Sequence, residues 1–215
     1  MNVSVVVCVH NGERFIARSI RSLLDQSMPR DQFEIIVVDD GSTDNTAKVI
    51  ESFGSLVRPL TFESQRGLPA ACNAGIQSAR GRYVVRVDAD DYVHEDFLRV
   101  EHLFMSLNPD IDAVACDYFL IDERERVTER RNVDEHPIAC GFMCKTDDLI
   151  ALGLYDEQML FHEDTDLRIR FVQNYTITRV QLPLYRYRRH SDNMTNDLQS
   201  MEKYNQEVKA KHGMS

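Results

Sequence analysis

The sequence predicts an α/β domain in which helices flank a mainly parallel sheet, with a smaller antiparallel portion in the second half. Up to residue 95, short β-branched runs alternate with segments whose apolar residues recur at helical spacing. Such alternation is typical of a parallel sheet with helices on both faces. Beyond that residue the pattern changes, and two strands around a charged turn indicate a hairpin.

The first three elements follow directly from the pattern of apolar residues. Residues 3–9, VSVVVCV, are a β-branched run bounded by polar residues, which predicts a buried strand. Residues 13–25 carry their large apolar side chains on one helical face. Residues 33–38, FEIIVV, predict the second strand, and this strand ends at the acidic pair Asp39 and Asp40.

Four further elements complete the first half of the chain. Residues 42–53 begin with serine and threonine, which cap helices, and residues 56–63 predict a third, weaker strand. Residues 67–79 predict a helix that Gly81 can terminate. Residues 82–88, RYVVRVD, predict the fourth strand. The resulting order is β-α-β-α-β-α-β.

The second half is expected to mix antiparallel strands with helices. Residues 112–122 and 126–131 predict two strands around the charged turn ERE. Because the charges in this segment alternate in sign, a solvated hairpin is favoured over a binding patch. Helices are predicted over residues 94–107, 146–153, 163–174 and 198–212.

Charge and length limit the function classes. The chain has 35 acidic residues against 25 Lys and Arg, a net charge of −10, which argues against nucleic acid as a partner. An anionic ligand would need a local cation, such as a metal ion. The 215 residues predict one domain, 1–215, with halves at 1–95 and 96–190. Residues 191–215 predict a helical extension through which two copies could form a homodimer.

Three absences predict where the protein resides. The five cysteines follow no framework spacing, which predicts reduced, mostly buried thiols. The first residues lack the basic start and cleavage site of a signal peptide. No apolar run approaches membrane-spanning length. We therefore expect a cytoplasmic protein with at most peripheral association at the inner face of the membrane.

Polar residues follow three of the predicted strands. His10 and Asn11 follow the first strand, Asp39 and Asp40 end the second, and three acids within residues 88–91 end the fourth. Each pair alone is typical of a turn or helix cap. Carboxyl ends of parallel strands line the ligand crevice of an open α/β sheet, so together they favour a site. Acids this close repel unless a cation joins them, and hard oxygen ligands suit Mg²⁺ or Mn²⁺.

Four sequence blocks occur in the order VSVVVCVHNGERFI, FEIIVVDDGSTDNT, QRGLPAACNAGIQSARGRYVVRVDADD and LGLYDEQMLFHEDTDLRIR. They resemble glycosyltransferase family 2, with the GT-A fold, whose members move a sugar from a nucleotide-sugar to an acceptor. The resemblance implies a UDP-sugar donor, with dTDP- and GDP-sugars as alternatives, a divalent ion, and a carbohydrate, lipid-linked or protein acceptor. It assigns donor binding to residues 1–95, and acceptor binding and catalysis to residues 96–190. The absence of QxxRW favours single sugar additions over processive synthesis.

The resemblance implies a role for each matched residue. Asp39 and Asp40 match the acids that hold the nucleoside. Asp88 matches the first acid of the DxD motif, near the ribose and metal. Asp90 matches the main metal ligand, with Asp91 as a helper. Further donor-pocket positions are Val9, His10, Asn11, Glu13, Arg66, Gly67, Asn73 and Ala89.

Two further groups complete the expected site. Glu163 and Asp164 match the family's catalytic pair, of which the aspartate is the expected base, although helix capping would also explain two acids there. His190 ends the arginine-rich segment YRYRRH. It is either a metal or diphosphate contact or a hydrogen-bonded structural histidine. A ligand role requires His190 to lie close to Asp90.

The chain departs from the family pattern, and other classes remain alternatives. Cys8 and His10 replace a common proline and tyrosine, and Cys72 replaces an arginine, so Arg66 is expected to supply that charge. The loop HNGERF has neither the Gly- and Arg-rich sequence of a nucleotidyltransferase nor the GxGxxG of a dehydrogenase. An acidic response-regulator-like module would place its acids after other strands. A non-catalytic sugar-nucleotide-binding protein is the main non-enzyme alternative, which turnover of the donor would exclude.

Overall fold

The computed structural model describes residues 1–191, 193 and 196–213. In this part of the chain one nine-stranded sheet has the order β3-β2-β1-β4-β8-β6-β9-β5, with β7 paired to β6. The strands are β1 (Val3–Val9), β2 (Phe33–Asp39), β3 (Arg58–Thr61), β4 (Tyr83–Arg86), β5 (Tyr92–Val93), β6 (Ala113–Ile121), β7 (Val127–Arg131), β8 (Phe142–Lys145) and β9 (Ile177–Arg188). The helices are α1 (Ile16–Leu24), α2 (Thr46–Glu51), α3 (Leu68–Ser78), α4 (Phe97–Leu107), α5 (Thr146–Ala151), α6 (Glu163–Val172) and α7 (Leu198–His212).

The first half is the parallel part of the sheet. β1 pairs in parallel with β2 and β4, and β2 pairs in parallel with β3. Every residue of β1 is buried, and its alternate side chains belong to two different cores. Val5 and Val7 pack with α1 on one face, whereas Val6 and Cys8 pack with α3 on the other. Helices therefore cover both faces, as predicted.

Helix α3 approaches β1 unusually closely. A Cβ atom placed on Gly75 would lie 2.4 Å from Val6 Cγ1, so only glycine fits there. One helical turn earlier, Cys72 Sγ lies 3.6 Å from Cys8 Sγ. All five cysteines are buried and free, as the composition predicted.

The second half adds antiparallel strands, which confirms the predicted fold class. β8 pairs antiparallel with both β4 and β6, and β7 pairs antiparallel with β6 around the predicted charged turn. β9 runs parallel to β6 along its whole length. The short strand β5 pairs antiparallel with the end of β9. β8 and β5 had no counterpart in the sequence-based expectations.

Two of the boundaries that differ from those predicted have a clear structural reason. The helix expected over residues 42–53 begins only at Thr46, because residues 42–45 form a turn that is hydrogen-bonded to the first loop. The helix over 67–79 does not end at Gly81. Its C-cap is Ala79, whose extended backbone stops the helix. Gly81 instead serves a close approach to β1, since an added Cβ would lie 2.5 Å from Ser4 N.

The C-terminal helix α7 is the described part of the predicted extension, and residues 192, 194, 195, 214 and 215 of that extension lie outside the described residues. α7 packs against the segment that leads into α6, with the rings of Phe161 and Tyr204 5.4 Å apart. None of the helices in the described part of the chain is long and apolar enough to cross a lipid bilayer.

Candidate active site

The loop after β4 carries three acids that differ in burial. Asp88 and Asp90 are both partly exposed, whereas Asp91 is buried. Burial and then the charges of Asp90 and Asp88 raise the pKa of Asp91 well above its usual value. Burial and then the charge of Asp88 also raise the pKa of Asp90. The acids thus repel one another.

Asp91 holds the architecture together. Its Oδ1 accepts the Arg188 backbone N–H at 2.7 Å, and its Oδ2 accepts the Tyr185 hydroxyl at 2.8 Å. Tyr185 in turn accepts the backbone N–H of Asp88 at 3.0 Å. Because both carboxyl oxygens of Asp91 have partners, its expected role as a metal helper has little geometric support. It fixes the loop after β4 against β9.

His190 lies beside Asp90, in the position required for a ligand role. His190 Nε2 is 2.9 Å from Asp90 Oδ2, and the Asn193 amide donates to the same oxygen at 3.2 Å. The His190 ring also lies 4.7 Å from the ring of Phe15. The sequence left a structural role open, and the Asp90 contact fits both alternatives.

Arg86 joins the acids after β4 to the start of α6. Its Nε donates to Asp88 Oδ1 at 2.7 Å, and its Nη1 donates to Glu163 Oε1 at 3.0 Å. Burial alone would lower the pKa of Arg86, but the charge of Asp88 and other nearby groups raise it well above its usual value. Burial raises the pKa of Glu163, and Arg86 offsets part of that shift. Arg86 therefore brings Asp88, in the loop after β4, and Glu163, at the start of α6, to one site.

Asp164 stands next to this bridge but has much greater freedom. Among the described residues its carboxylate has only one hydrogen bond, at 3.4 Å from the Thr165 hydroxyl. It lines a pocket between α6 and the loop 137–139. His162, the residue that precedes the ED pair, has a left-handed backbone with φ 57°, and its Nε2 lies 3.1 Å from Met201 O on α7. α7 thereby contacts the turn that presents both acids.

The loops after β1 and β2 contact each other, as their places in the sheet predict. His10 Nδ1 lies 2.8 Å from Asp40 O, and Asn11 Oδ1 accepts the Thr43 N–H at 2.8 Å. Asp39 accepts the Ser42 N–H through Oδ1 at 3.0 Å. Both oxygens of Asp40 are used, by the backbone N–H groups of residues 66 and 67. Asp40 is thus fully engaged by the segment that leads into α3, whereas Asp39 keeps one carboxyl oxygen without a hydrogen bond to a described residue.

The other predicted donor-pocket residues fall into two groups. Arg66 is exposed over the Phe62 ring, and Gly67 is the N-cap of α3 with φ 97°. Asn73, in contrast, is buried and bonds both backbone groups of Tyr155, so it joins α3 to the segment before α6. Three more have structural surroundings: Val9 is buried, Ala89 packs against the core, and Glu13 accepts from Asn45.

The residues present fit a divalent cation. Asp88 Oδ2 and Asp90 Oδ1 have no hydrogen bond to a described residue, and the charge of Asp88 helps to raise the pKa of Asp90, an effect that a bound cation would offset. A second grouping, Asp88, Asp91 and Cys140, has ligand atoms within 4.8 Å of one another. Burial raises the pKa of Cys140 well above its usual value, which keeps the thiol protonated. The oxygen pair is therefore the better match for Mg²⁺ or Mn²⁺.

Sequence reasoning missed Arg86, Asn193 and the Tyr185–Asp91 contact. Arg86 carried a usable signal, because an arginine between valines in a buried strand must have a buried carboxylate partner. Asn193 and Tyr185 carried none, since their roles depend on how β9 returns beside β6.

Comparison with known proteins finds a matching family model and several similar proteins. The family model described as Glycosyl transferase family 2 matches residues 4–167. The chain is 35% identical over 127 residues to the glycosyltransferase GlyG of Streptococcus pneumoniae. This alignment covers 57% of this chain and 41% of GlyG. The chain spans between 18% and 41% of the length of the first four curated relatives that it matches.

Two solved structures share the fold. TarS 1–349 of Staphylococcus aureus, in complex with UDP-GlcNAc, superposes with a TM-score of 0.84 at 19% identity, covering 98% of this chain and 66% of that one. The mannosyltransferase PcManGT of Pyrobaculum calidifontis, in complex with GDP-Man and Mn²⁺, superposes with a TM-score of 0.78 at 20% identity, covering 98% and 64%. At these identities the likeness concerns the fold.

Proposed function

Because the chain belongs to glycosyl transferase family 2, we propose that it transfers one sugar from a nucleotide-diphospho-sugar to an acceptor hydroxyl, with inversion at the anomeric carbon. The observation that carries this proposal is the Arg86 bridge, which brings Asp88 and Glu163 to one site. The uracil nucleotides bound by the S. aureus structure support a UDP-sugar as donor.

Each loop would contribute one part of donor recognition. Asp39 and His10, at the ends of β2 and β1, would hold the base. Asp88 and Asp90, with His190 beside them, would hold Mg²⁺ or Mn²⁺, which the Mn²⁺ complex of the archaeal structure supports. When bound, such an ion would neutralise charge on the diphosphate leaving group.

Asp164 would act as the general base. The acceptor oxygen attacks the anomeric carbon on the face opposite the diphosphate, and a new glycosidic C–O bond forms. The bond from that carbon to the diphosphate oxygen breaks, and its electron pair leaves with the diphosphate. The hydroxyl proton passes to the Asp164 carboxylate, which has weaker hydrogen bonding than the Glu163 carboxylate. Glu163, held by Arg86, would fix the start of α6.

The acceptor would be a carbohydrate, a lipid-linked sugar or a protein, approached through the second half of the chain. A non-catalytic nucleotide-sugar-binding protein would bind the same donor and never consume it. Thermal-shift measurements with Mn²⁺ and a series of nucleotide-sugars would first identify the donor, since a ligand selective for the native state raises its melting temperature.

Substitution of Asp164 by Asn tests the catalytic assignment. The amide keeps the shape of the side chain and removes its basicity, so donor and Mn²⁺ binding should stay near wild type while transfer falls by about 10²–10⁴-fold. Calorimetry with UDP and Mn²⁺ measures the first quantity, and release of UDP during transfer measures the second. Asp147→Asn, an exposed acid in the first turn of α5, is the matched control. Transfer by Asp164→Asn at the wild-type rate would reassign the base, with Glu163 as the next candidate.

A further inference from the structure

A pocket opens beside Asp164, on the second-half side of the site. Its walls include the loop 137–139, Phe142 of β8, and the face of α6 that carries Asp164 and Arg168. An acceptor must place its hydroxyl next to the base. This pocket is therefore where the structure has room for the part of the acceptor adjoining that hydroxyl.

Most of the wall is apolar and rigidly packed. Leu167 and Phe171 of α6 are buried, and the Phe142 and Phe171 rings meet edge to face with centroids 5.1 Å apart. Ile138 and Ile177 complete the apolar lining. Such a surface suits the carbon skeleton of a sugar or polyol, and it leaves few groups to select among hydroxyl-bearing molecules.

Arg168 is the cationic group in the lining. It is half-buried and sits one helical turn after Asp164, so the two side chains emerge on the same face, roughly 5–6 Å apart at Cβ. Within the described residues its guanidinium makes no hydrogen bond and no ion pair within 4.0 Å. Burial lowers the pKa of Arg168, and the charges of Asp134 and Asp164 offset part of that shift. Arg168 thus loses hydration without gaining a hydrogen-bond partner among the described residues.

Arg170, two residues later, shows how the same helix treats a structural arginine. It bonds the buried carboxylate of Asp166 at 2.8 Å and the carbonyl oxygens of Leu152 and Leu154. All of its contacts are internal. The contrast indicates that the fold does not use Arg168 for its own stability, and leaves its donors available to a ligand.

We propose that Arg168 selects acceptors that carry a phosphate or carboxylate group close to the attacked hydroxyl. This inference rests on the proposed function, because it takes Asp164 as the base that marks the hydroxyl position. A planar guanidinium binds either anion through two parallel N–H donors. The apolar wall would hold the carbon atoms between the anion and the hydroxyl.

A different role for Arg168 makes an opposite prediction. If Arg168 only kept Asp164 ionised, its removal would shift the pH–rate profile to higher pH and slow charged and neutral acceptors equally. If it binds the acceptor anion, its removal should slow the charged acceptors alone and leave the profile for neutral acceptors in place.

The test compares matched probes that differ in charge. Protein loaded with UDP and Mn²⁺ is titrated with glycerol 1-phosphate against glycerol, and with glucuronate against glucose, which also separates phosphate from carboxylate recognition. Wild type should bind at least one anionic probe about 10-fold more tightly than its neutral partner. Arg168→Met should abolish that difference, and Arg168→Lys should restore part of it. Arg99→Met, an exposed arginine on α4, should leave it unchanged.

Two results would overturn the proposal: equal binding of charged and neutral probes by wild type, or an undiminished preference in Arg168→Met of unchanged melting temperature. The kcat/KM of transfer for the same acceptor pairs gives a second readout. Charge preference in binding without any transfer would instead contradict the proposed glycosyltransferase activity, so the two failures are distinguishable.

Discussion

Arg86 contacts both the proposed metal-binding loop and the start of the helix that carries the proposed base. It is buried, and it binds Asp88 on one side and Glu163 on the other. Removing one partner of a buried ion pair leaves an uncompensated charge, which is far more costly than exchanging the whole pair for neutral groups. The contribution of this bridge to the free energy of unfolding can therefore be measured separately from its effect on catalysis.

We expect Arg86→Met to lower the free energy of unfolding by about 3–5 kcal/mol, because Glu163 remains buried without its cation. Adding Glu163→Gln to that variant should recover at least about 1 kcal/mol, since the amide has no charge to bury. Urea unfolding of the two single variants and the double variant gives the interaction energy. A double variant less stable than Arg86→Met would contradict the bridge as described.

Glu101 is a second buried acid, and its protonation state differs between the folded and unfolded chain. It lies on α4 in the core, and neither of its carboxyl oxygens has a hydrogen bond from a described residue. Burial raises its pKa well above the usual 4.5, and the neighbouring Cys116 thiol offsets only part of that shift. The carboxyl group is therefore neutral in the folded protein over a pH range in which it ionises in the unfolded chain.

The sign of the resulting pH dependence follows. Below about pH 4.5 the group is protonated in both states and costs nothing electrostatically. As the pH rises toward the folded-state pKa, only the unfolded chain loses the proton, and the folded state becomes less stable by up to about 1.4 kcal/mol per pH unit. Glu101→Met should remove this loss, so its advantage over wild type should grow as the pH rises above about 4.5. An advantage that is constant with pH in chemical unfolding would refute this account.

At the scale of elements, α7 stabilises the start of α6. The buried carboxylate of Asp166 accepts from Arg170 within α6 and from Lys211 and His212 at the end of α7. The Met201 carbonyl oxygen contacts the His162 ring at the turn before Glu163 and Asp164. The last helix thus fixes both ends of the turn that presents Glu163 and Asp164.

We expect the double substitution Lys211→Met with His212→Gln to speed amide hydrogen exchange in residues 155–166 while leaving β1 and β4 protected. Loss of two partners of Asp166 should release α7 and let the turn open locally. Lys209→Met is the matched control, because Lys209 is an exposed lysine near the end of the same helix. Equal exchange in the three proteins would show that α7 does not restrain the turn.

The elements also show how far the sequence could lead. β1, β2 and β4 were predictable because each is a run of buried β-branched residues, and the acids at their ends had to meet. β8 has only four residues, which is too short to show a strand pattern, so the sequence did not mark it. The arginine-rich end of β9 stood out in the sequence, but its environment could not be read from the pattern alone. The structure places Arg188 in the interior, where it bonds Asp90 O, and that contact depends on long-range pairing.

At the scale of the whole molecule, the charged turn between β6 and β7 joins the two halves. The segment was predicted to be solvated, and β7 is largely exposed. Its turn nevertheless reaches α1 and the end of β9. Glu123 pairs with Arg14, while Glu125 pairs with Arg18 and with the buried Arg188. The division into donor and acceptor halves stays a prediction, but this contact links them on the surface.

The two glutamates should differ in their contribution to stability. Glu125→Ala removes the carboxylate from Arg188, whose side chain is only 3% exposed, and should cost about 1–3 kcal/mol of unfolding free energy. Glu123→Ala breaks an exposed pair and should cost less than about 1 kcal/mol. Thermal and urea unfolding of both variants measure the difference. Equal costs would mean that the Glu125–Arg188 pair stabilises the fold no more than the exposed Glu123–Arg14 pair does.

The spacing of the Arg86 bridge along the chain has a consequence for synthesis on the ribosome. Glu163 follows Arg86 by 77 residues. At a translation rate of about 5–20 residues per second, its appearance lags that of Arg86 by roughly 4–15 s. During that interval a nascent chain can align β1, β2 and β4, yet the arginine in β4 has only Asp88 as a partner. The completed polar interior therefore waits on elongation, and a pause in translation between these two codons would prolong the lifetime of a half-paired intermediate.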